Sequence, residues 1–198
     1  MATFLDYIDL RLGVSEWVDR RDISDILPRF VAAAEVNING FLRCRQMLVI
    51  GSTLTFTAGL APLPTDFLEV RTIWDATNKI PLEGTSTTQV LQGTSDIYAF
   101  AIVNSNVFID GLTGTRLMDY YQALPTLLTS LTTSNWLLQA APNLYLYAVC
   151  YEVAKWMKDK TLADAAEKLM NDELLTLHQS NARAIYGSTS VRMRSPTP

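Results

Sequence analysis

The run Leu144-Tyr145-Leu146-Tyr147-Ala148-Val149-Cys150-Tyr151 leaves a folding chain few options. Pro142 can open a helix just before it, because the N–H that proline lacks is one a first turn leaves unpaired anyway. No charge appears until Glu152. A helix on the surface of a small monomer carries one apolar stripe and one polar face. This one has no polar face for about two turns, so it is expected to be buried on every side. A subunit packed between identical neighbours encloses such a helix more readily than a lone chain of 198 residues. Trp136, Leu144, Tyr145, Tyr147, Tyr151 and Trp156 are therefore read as core or subunit-interface residues. Tyrosine and tryptophan suit that role, with an apolar body and a tip that reaches a polar partner.

Charge points the same way. Only 18% of the residues are charged and 48% are hydrophobic, where a typical soluble domain has roughly a quarter charged. Such a chain has few charges with which to cover a solvent-facing surface. The net charge of −4, with a pI near 5.0, argues against a protein that grips phosphates through a basic face. It is compatible with one that lets DNA slide past. Cys44 and Cys150 fit no metal-ligand spacing and read as buried thiols in a reducing compartment. The N-terminus has acid where a signal peptide needs base. No run approaches the ~18–20 uncharged residues of a membrane span, so the chain is expected in the cytoplasm on synthesis.

The periodicity runs helical, then extended, then helical. Thr3 is expected to cap a first helix through Leu12, with Leu5, Ile8 and Leu12 on one side and Gly13 as its stop. Asp22 or Asp25 begins a second, with Pro28 in its permissive first turn. Ile26, Phe30, Ala33, Ala34, Ile38, Phe41 and Leu42 form its apolar face, and Arg43 and Arg45 complement its dipole. Met47–Ile50 and Leu54–Thr57 predict a hairpin about Gly51-Ser52. Strands are expected at Val70–Trp74 and Arg116–Gln122. A second hairpin runs from Ile97 to Asp110, turning at Asn104-Ser105-Asn106, because asparagine tolerates the left-handed conformation. After Pro125, Ser134 or Asn135 opens a short turn. The apolar helix then runs to about Lys158, and a last one from Leu162 to Tyr186 stops at Gly187. The last helix shows Ala163, Ala166, Met170, Leu174, Leu177 and Ala184 along one face. The fold class is α+β: one domain of residues 1–187, with a helical body from 1–46 and 124–187 and a β-rich insertion at 47–123. Residues 188–198 form a polar tail that would be disordered alone.

Catalytic and cofactor motifs are missing from the sequence. The single histidine, His178, has no G-x-S-x-G elbow to serve. Neither phosphate-cradling glycine pattern occurs, and no cofactor is expected. Asp159, Asp164, Glu167, Asp172 and Glu173 are balanced by Lys155, Lys158, Lys160 and Lys168, the pattern of a solvated helix face. The aromatics are interleaved with Leu, Ala and Val rather than with the cations that accompany base stacking. The chain reads as a non-enzyme.

Three blocks resemble the tailed-bacteriophage head-to-tail adaptor proteins. Asp22-Ile23-Ser24-Asp25-Ile26-Leu27-Pro28-Arg29-Phe30-Val31, with Ala34-Glu35-Val36-Asn37-Ile38-Asn39 and Leu42-Arg43, is similar to their first conserved helix. Leu63-Pro64-Thr65-Asp66-Phe67-Leu68-Glu69-Val70-Arg71 resembles the segment leading into their β region. Asn135-Trp136-Leu137-Leu138 with Pro142-Asn143-Leu144-Tyr145-Leu146-Tyr147-Ala148 resembles their third block, the most specific of the three. The chain departs at Gly40, where an arginine or similar residue is expected.

The resemblance implies a structural virion protein in the neck between capsid and tail, assembled in the host cytoplasm. It implies a ring, usually a dodecamer, that docks on the portal protein and extends the DNA channel. Double-stranded DNA would pass through on packaging and ejection without specific binding. The ring would offer a platform to a tail or nozzle protein, and no membrane is involved. The C-terminal tail would dock on the portal, with Arg192 and Arg194 pairing portal carboxylates. The hairpin tip Asn104, Ser105 and Asn106 is the expected contact with the next tail protein. The competing class is a DNA-packaging ring component of small-terminase type. That class calls for a helix-turn-helix with a basic recognition helix, which no segment supplies. A tail enzyme such as a cell-wall hydrolase would need a convergent acid pair.

Overall fold

The computed structural model describes residues 4–92 and 98–187. They form two compact units: one from the described residues of Met1–Arg45 and Leu124–Pro198, the other from those of Gln46–Ala123.

The first unit is helical. It contains α1 (Tyr7–Trp17), α2 (Leu27–Phe41), α4 (Trp136–Ala140), α5 (Pro142–Met157) and α6 (Lys160–Tyr186). The apolar helix α5 lies at its centre, against α1, α2, α4 and α6. Leu144, Tyr145, Val149, Cys150 and Val153 are fully covered by the chain's own helices. One side of α5 is thus enclosed by helices of its own chain, because α1 and α2 each turn an apolar stripe towards it, while Tyr147 and Tyr151 are half-buried and Trp156 is exposed.

Those stripes differ from the expected ones. In α1, Tyr7, Leu10 and Val14 are buried, whereas Leu5, Ile8 and Leu12 are 73%, 39% and 56% exposed. The helix begins at Asp6, whose carboxylate accepts the N–H groups of Ile8 and Asp9; Thr3 lies outside the described residues. Gly13 does not stop the helix. It sits inside α1, where a Cβ would lie 2.6 Å from the ring of Phe4. The glycine therefore serves close packing rather than termination. In α2 the buried stripe is Leu27, Val31, Ala34 and Ile38, ending at Leu42. Ile26, Phe30 and Ala33 are only half-buried and Phe41 is exposed. Neither Asp22 nor Asp25 caps α2, which starts at Ile26 without a side-chain cap but with Pro28 in its first turn. Asp22 instead pairs with Arg20. At the other end Arg43 donates to the Asn39 and Leu42 carbonyls, as expected of a cation at a helix C-terminus.

The α5–α6 turn is made by Lys158 in the left-handed region (φ 58°). Asp159 then caps α6 by accepting the Leu162 N–H. Gly187 follows α6 with φ −63°, so its left-handed freedom is not used. Along α6 Ala166 and Leu177 are buried, Ala163, Met170 and Leu174 half-buried, and Ala184 exposed.

The second unit is β-rich. Its strands are β1 (Leu48–Phe56), β2 (Leu60–Pro62), β3 (Phe67–Asp75), β4 (Ile80–Pro81), β5 (Glu83–Gly84), β6 (Ala99–Val103), β7 (Asn106–Phe108) and β8 (Gly114–Gln122), with α3 (Thr87–Gln92) between β5 and β6. One sheet has the order β1-β8-β3-β4 and the other β2-β7-β6-β5. All the pairings are antiparallel except β5–β6. Phe56, Ala61, Ile73, Val107, Ile109 and Met118 belong to its core. The hairpin expected about Gly51-Ser52 is instead one strand with a bulge between Val49 and Ser52. Gly51 takes φ 71° there and its N–H donates to Asp119 Oδ1 at 2.8 Å. Glycine in a bulge and glycine in a turn look alike in sequence. The β6–β7 hairpin does turn at Asn104, with φ 54°. Ile97 lies outside the described residues.

Candidate functional site

The polar residues of the first and third blocks meet inside the helical unit. Glu35, on α2, is buried. Its Oε1 accepts the Tyr145 hydroxyl at 2.6 Å and the Leu127 N–H at 2.8 Å. One α2 turn later, Asn39 Oδ1 accepts the Leu124 N–H at 2.8 Å. Asn135 caps α4 through the Leu138 N–H and donates its amide to the Pro125 carbonyl at 2.8 Å. Three side chains thus hold residues 124–127, where the chain re-enters the helical unit. Buried backbone groups outside regular structure need such partners. Burial, with the Glu35 carboxylate beside it, holds the Tyr145 hydroxyl neutral far above the usual tyrosine range. Sequence reasoning singled out Tyr145 but missed Glu35 and Asn39 as its companions. A glutamate within an otherwise apolar helical face was the one available signal.

The six aromatic and apolar residues expected at core or interface divide. Leu144 and Tyr145 are core of a single chain. Trp136 is half-buried, and its Nε1 is buried without a hydrogen-bond partner among the described residues. Tyr147 is half-buried and meets Trp17 edge-on at 6.2 Å. Tyr151 carries the Lys155 ammonium 4.9 Å from its ring centroid. Trp156 is 50% exposed, against Phe30 at 5.8 Å and beneath the Arg20 guanidinium at 6.0 Å. The outer edge of α5 is therefore an aromatic surface braced by cations.

A groove of about 570 Å³ lies between α2, α5 and α6, lined by Val36, Gly40, Phe41, Tyr151, Lys155 and Met170 among others. Val36 is 70% exposed, and a Cβ at Gly40 would meet nothing within 4 Å. The position where an arginine was expected is thus open space. At the groove's rim Lys155 donates to both oxygens of Glu152, at 2.9 and 3.0 Å, and Glu152 also accepts from Asn37.

Elsewhere, Asn104 and Ser105 are exposed at the hairpin tip, and the Ser105 carbonyl accepts the Leu63 N–H at 2.9 Å. Arg192 and Arg194 lie outside the described residues. His178 is exposed on α6. The acids of the α5–α6 region are dispersed: Asp159 is a cap, Glu173 accepts from Asn143, and Asp164, Glu167 and Asp172 line a shallow surface depression. Among the described residues no three metal-capable side chains converge, and no helix is long and apolar enough to cross a membrane. Cys44 and Cys150 are both buried and form no disulfide, and burial pushes the Cys150 thiol up.

No curated protein matches the chain. A family profile, that of the SU10 adaptor protein, matches residues 5–194, a span that takes in both units and all three blocks. The chain belongs to the SU10 adaptor protein family, a family of phage head-to-tail adaptors.

Proposed function

We propose that this chain forms a ring, matched in copy number to the portal, that docks on the portal protein, extends its DNA channel and carries the tail or nozzle. The observation that carries the reading is the family match over nearly the whole chain. On this reading residues 1–187 act as one adaptor domain with the β-rich insertion at 47–123, and residues 188–198 are the portal-binding tail. Arg192 and Arg194 supply its cations. The hairpin tip at Asn104, Ser105 and Asn106 contacts the next tail protein, and the outer aromatics of α5 face neighbouring subunits.

The charge distribution supports a conduit that does not hold its cargo. Residues 46–123 contain three basic and seven acidic side chains, so they account for the whole net charge of −4. DNA gains no counterion release from such a surface and slides past it.

The test is the copy number of this chain relative to portal protein in purified, DNA-filled particles. A ratio near one supports the reading, and absence from the particles sinks it. A chain lacking Ser188–Pro198 should keep its circular dichroism spectrum and melting behaviour but fail to dock on the portal. Docking that survives the truncation removes the assigned role of the tail.

A further inference from the structure

The β-rich unit closes on itself. Segment 80–84 ties its two sheets together: Ile80 and Pro81 pair with β3, and Glu83 and Gly84 pair with β6. Between them the Leu82 N–H donates to the Ile73 carbonyl at 2.7 Å. The other edges, β1 and β2, are joined by the Thr57–Leu60 bridge. Within that turn the Gly59 N–H donates to the Leu112 carbonyl at 2.9 Å. The buried cluster of this unit runs only from Leu54 to Tyr120. A core drawn from one continuous stretch can form without the rest of the chain.

The two ends of that stretch lie side by side. Leu48 pairs with Tyr121, and the Ala123 N–H donates to the Asp66 carbonyl at 2.7 Å. One residue on, the Leu124 N–H is bonded to Asn39 of the helical unit. Partners thus change from one unit to the other across a single peptide link. With the β-rich unit open, residues 46–123 would be a loop between fixed ends, and the entropy of closing a loop grows only slowly with its length. Asn39, Glu35 and Asn135 would still hold residues 124–127.

We infer that the β-rich unit opens and closes as a cooperative body of its own while the helical unit stays folded. The two partner contacts of the adaptor then sit on separately stable parts. That division rests on the function proposed above, which puts the portal-binding tail after α6 and the tail-protein contact at the β6–β7 tip. Loss of the β-rich unit costs tail attachment and spares portal docking. Cooperative opening of one supersecondary block above an intact remainder is the general form of such behaviour.

The test is Met118→Asp in the full-length chain. Met118 is fully buried on the inner strand β8, where an unpaired carboxylate disrupts the core. Hydrogen exchange read by mass spectrometry should show β3 and β8 losing about tenfold or more of their protection, with α2 and α5 within about twofold of wild type. Comparable loss in α2 and α5 overturns the inference. If the variant aggregates, native-state exchange of the wild-type chain in sub-denaturing urea decides instead. One opening energy and urea slope shared by β3 and β8, distinct from those of α2 and α5, supports two bodies. A single energy and slope common to all four overturns them. In particles, Met118→Asp should reach portal-matched copy number yet carry no tails. A variant missing from particles that do incorporate wild type overturns the division of contacts. Absence of the wild-type chain from particles removes the adaptor reading instead, and leaves the exchange result standing.

Discussion

Tyr145→Phe removes one oxygen from the middle of the helical unit, and its cost follows from what that oxygen touches. The hydroxyl donates to Glu35 Oε1 at 2.6 Å, where both side chains are buried. A hydrogen bond to a charged group contributes about 1.5–3 kcal/mol. Glu35 keeps its bond from the Leu127 N–H, so the carboxylate is not left bare and the loss should be about 2 kcal/mol. Glu35→Ala is harsher. It strands both the Tyr145 hydroxyl and the Leu127 N–H, at about 1–3 kcal/mol each, and adds a cavity. Urea unfolding followed by tryptophan fluorescence reads the helical unit, which holds Trp17, Trp136 and Trp156. With a slope of about 2 kcal/mol/M, the tyrosine variant should unfold about 1 M earlier. The double variant should cost about 2 kcal/mol less than the sum of the singles, the sign of a direct interaction. A tyrosine variant within about 0.5 kcal/mol of wild type, the range of an ordinary surface change, would refute the assigned role of the pair.

Three further outcomes follow from other residues. In a spectrophotometric titration Tyr120 should ionise near 12, because burial and its bond to Asp66 raise it to about 12; Tyr120→Phe should remove that step. Since its folded value lies above the unfolded one, the stability it contributes is complete below pH ~10 and is lost as pH rises towards 12, so wild type should lose β-unit stability over that window more steeply than Tyr120→Phe. Lys158→Gly should raise the melting temperature of the helical unit: it relieves a left-handed lysine costing about 1–2 kcal/mol, offset by roughly 0.4–1 kcal/mol of extra unfolded-chain freedom. A melting temperature at or below wild type would count against it. Gly51→Ala should lower β-unit stability by about 1–2 kcal/mol through the same left-handed strain, while Asp119→Ala should weaken the same bulge by removing the acceptor of the Gly51 N–H, both read by denaturation followed at Trp74.

Regular elements with a single period were legible in the sequence. The α5 and α6 helices and the β6–β7 hairpin lie close to where hydrophobic spacing and turn chemistry put them. The inner face of α1 was not legible because both sides are apolar: Leu5-Ile8-Leu12 and Tyr7-Leu10-Val14 each satisfy helical spacing, and only the tertiary partner chooses between them. Gly13 and Gly51 misled for a related reason. A missing side chain serves a stop, a turn, a bulge or a close approach equally, and the distinguishing neighbours, Phe4 and Asp119, lie elsewhere. The buried pair left a single local trace, a glutamate within an apolar helical face; its partner was out of reach, because Glu35 and Tyr145 are 110 positions apart. Within the apolar run Leu144–Tyr151, Leu144, Tyr145, Leu146, Ala148, Val149 and Cys150 are buried within the chain itself, while Tyr147 and Tyr151 are half-buried.

The helical unit fastens both ends of the excursion that interrupts it. Before the β-rich unit, the Arg45 N–H donates to the Asn181 side chain; after it, the Leu124 N–H donates to that of Asn39. Both fastenings come from residues outside the excursion, so the helices do not depend on its sequence to satisfy their own boundaries. The β-rich unit can therefore be remodelled or lengthened without removing either of these hydrogen bonds.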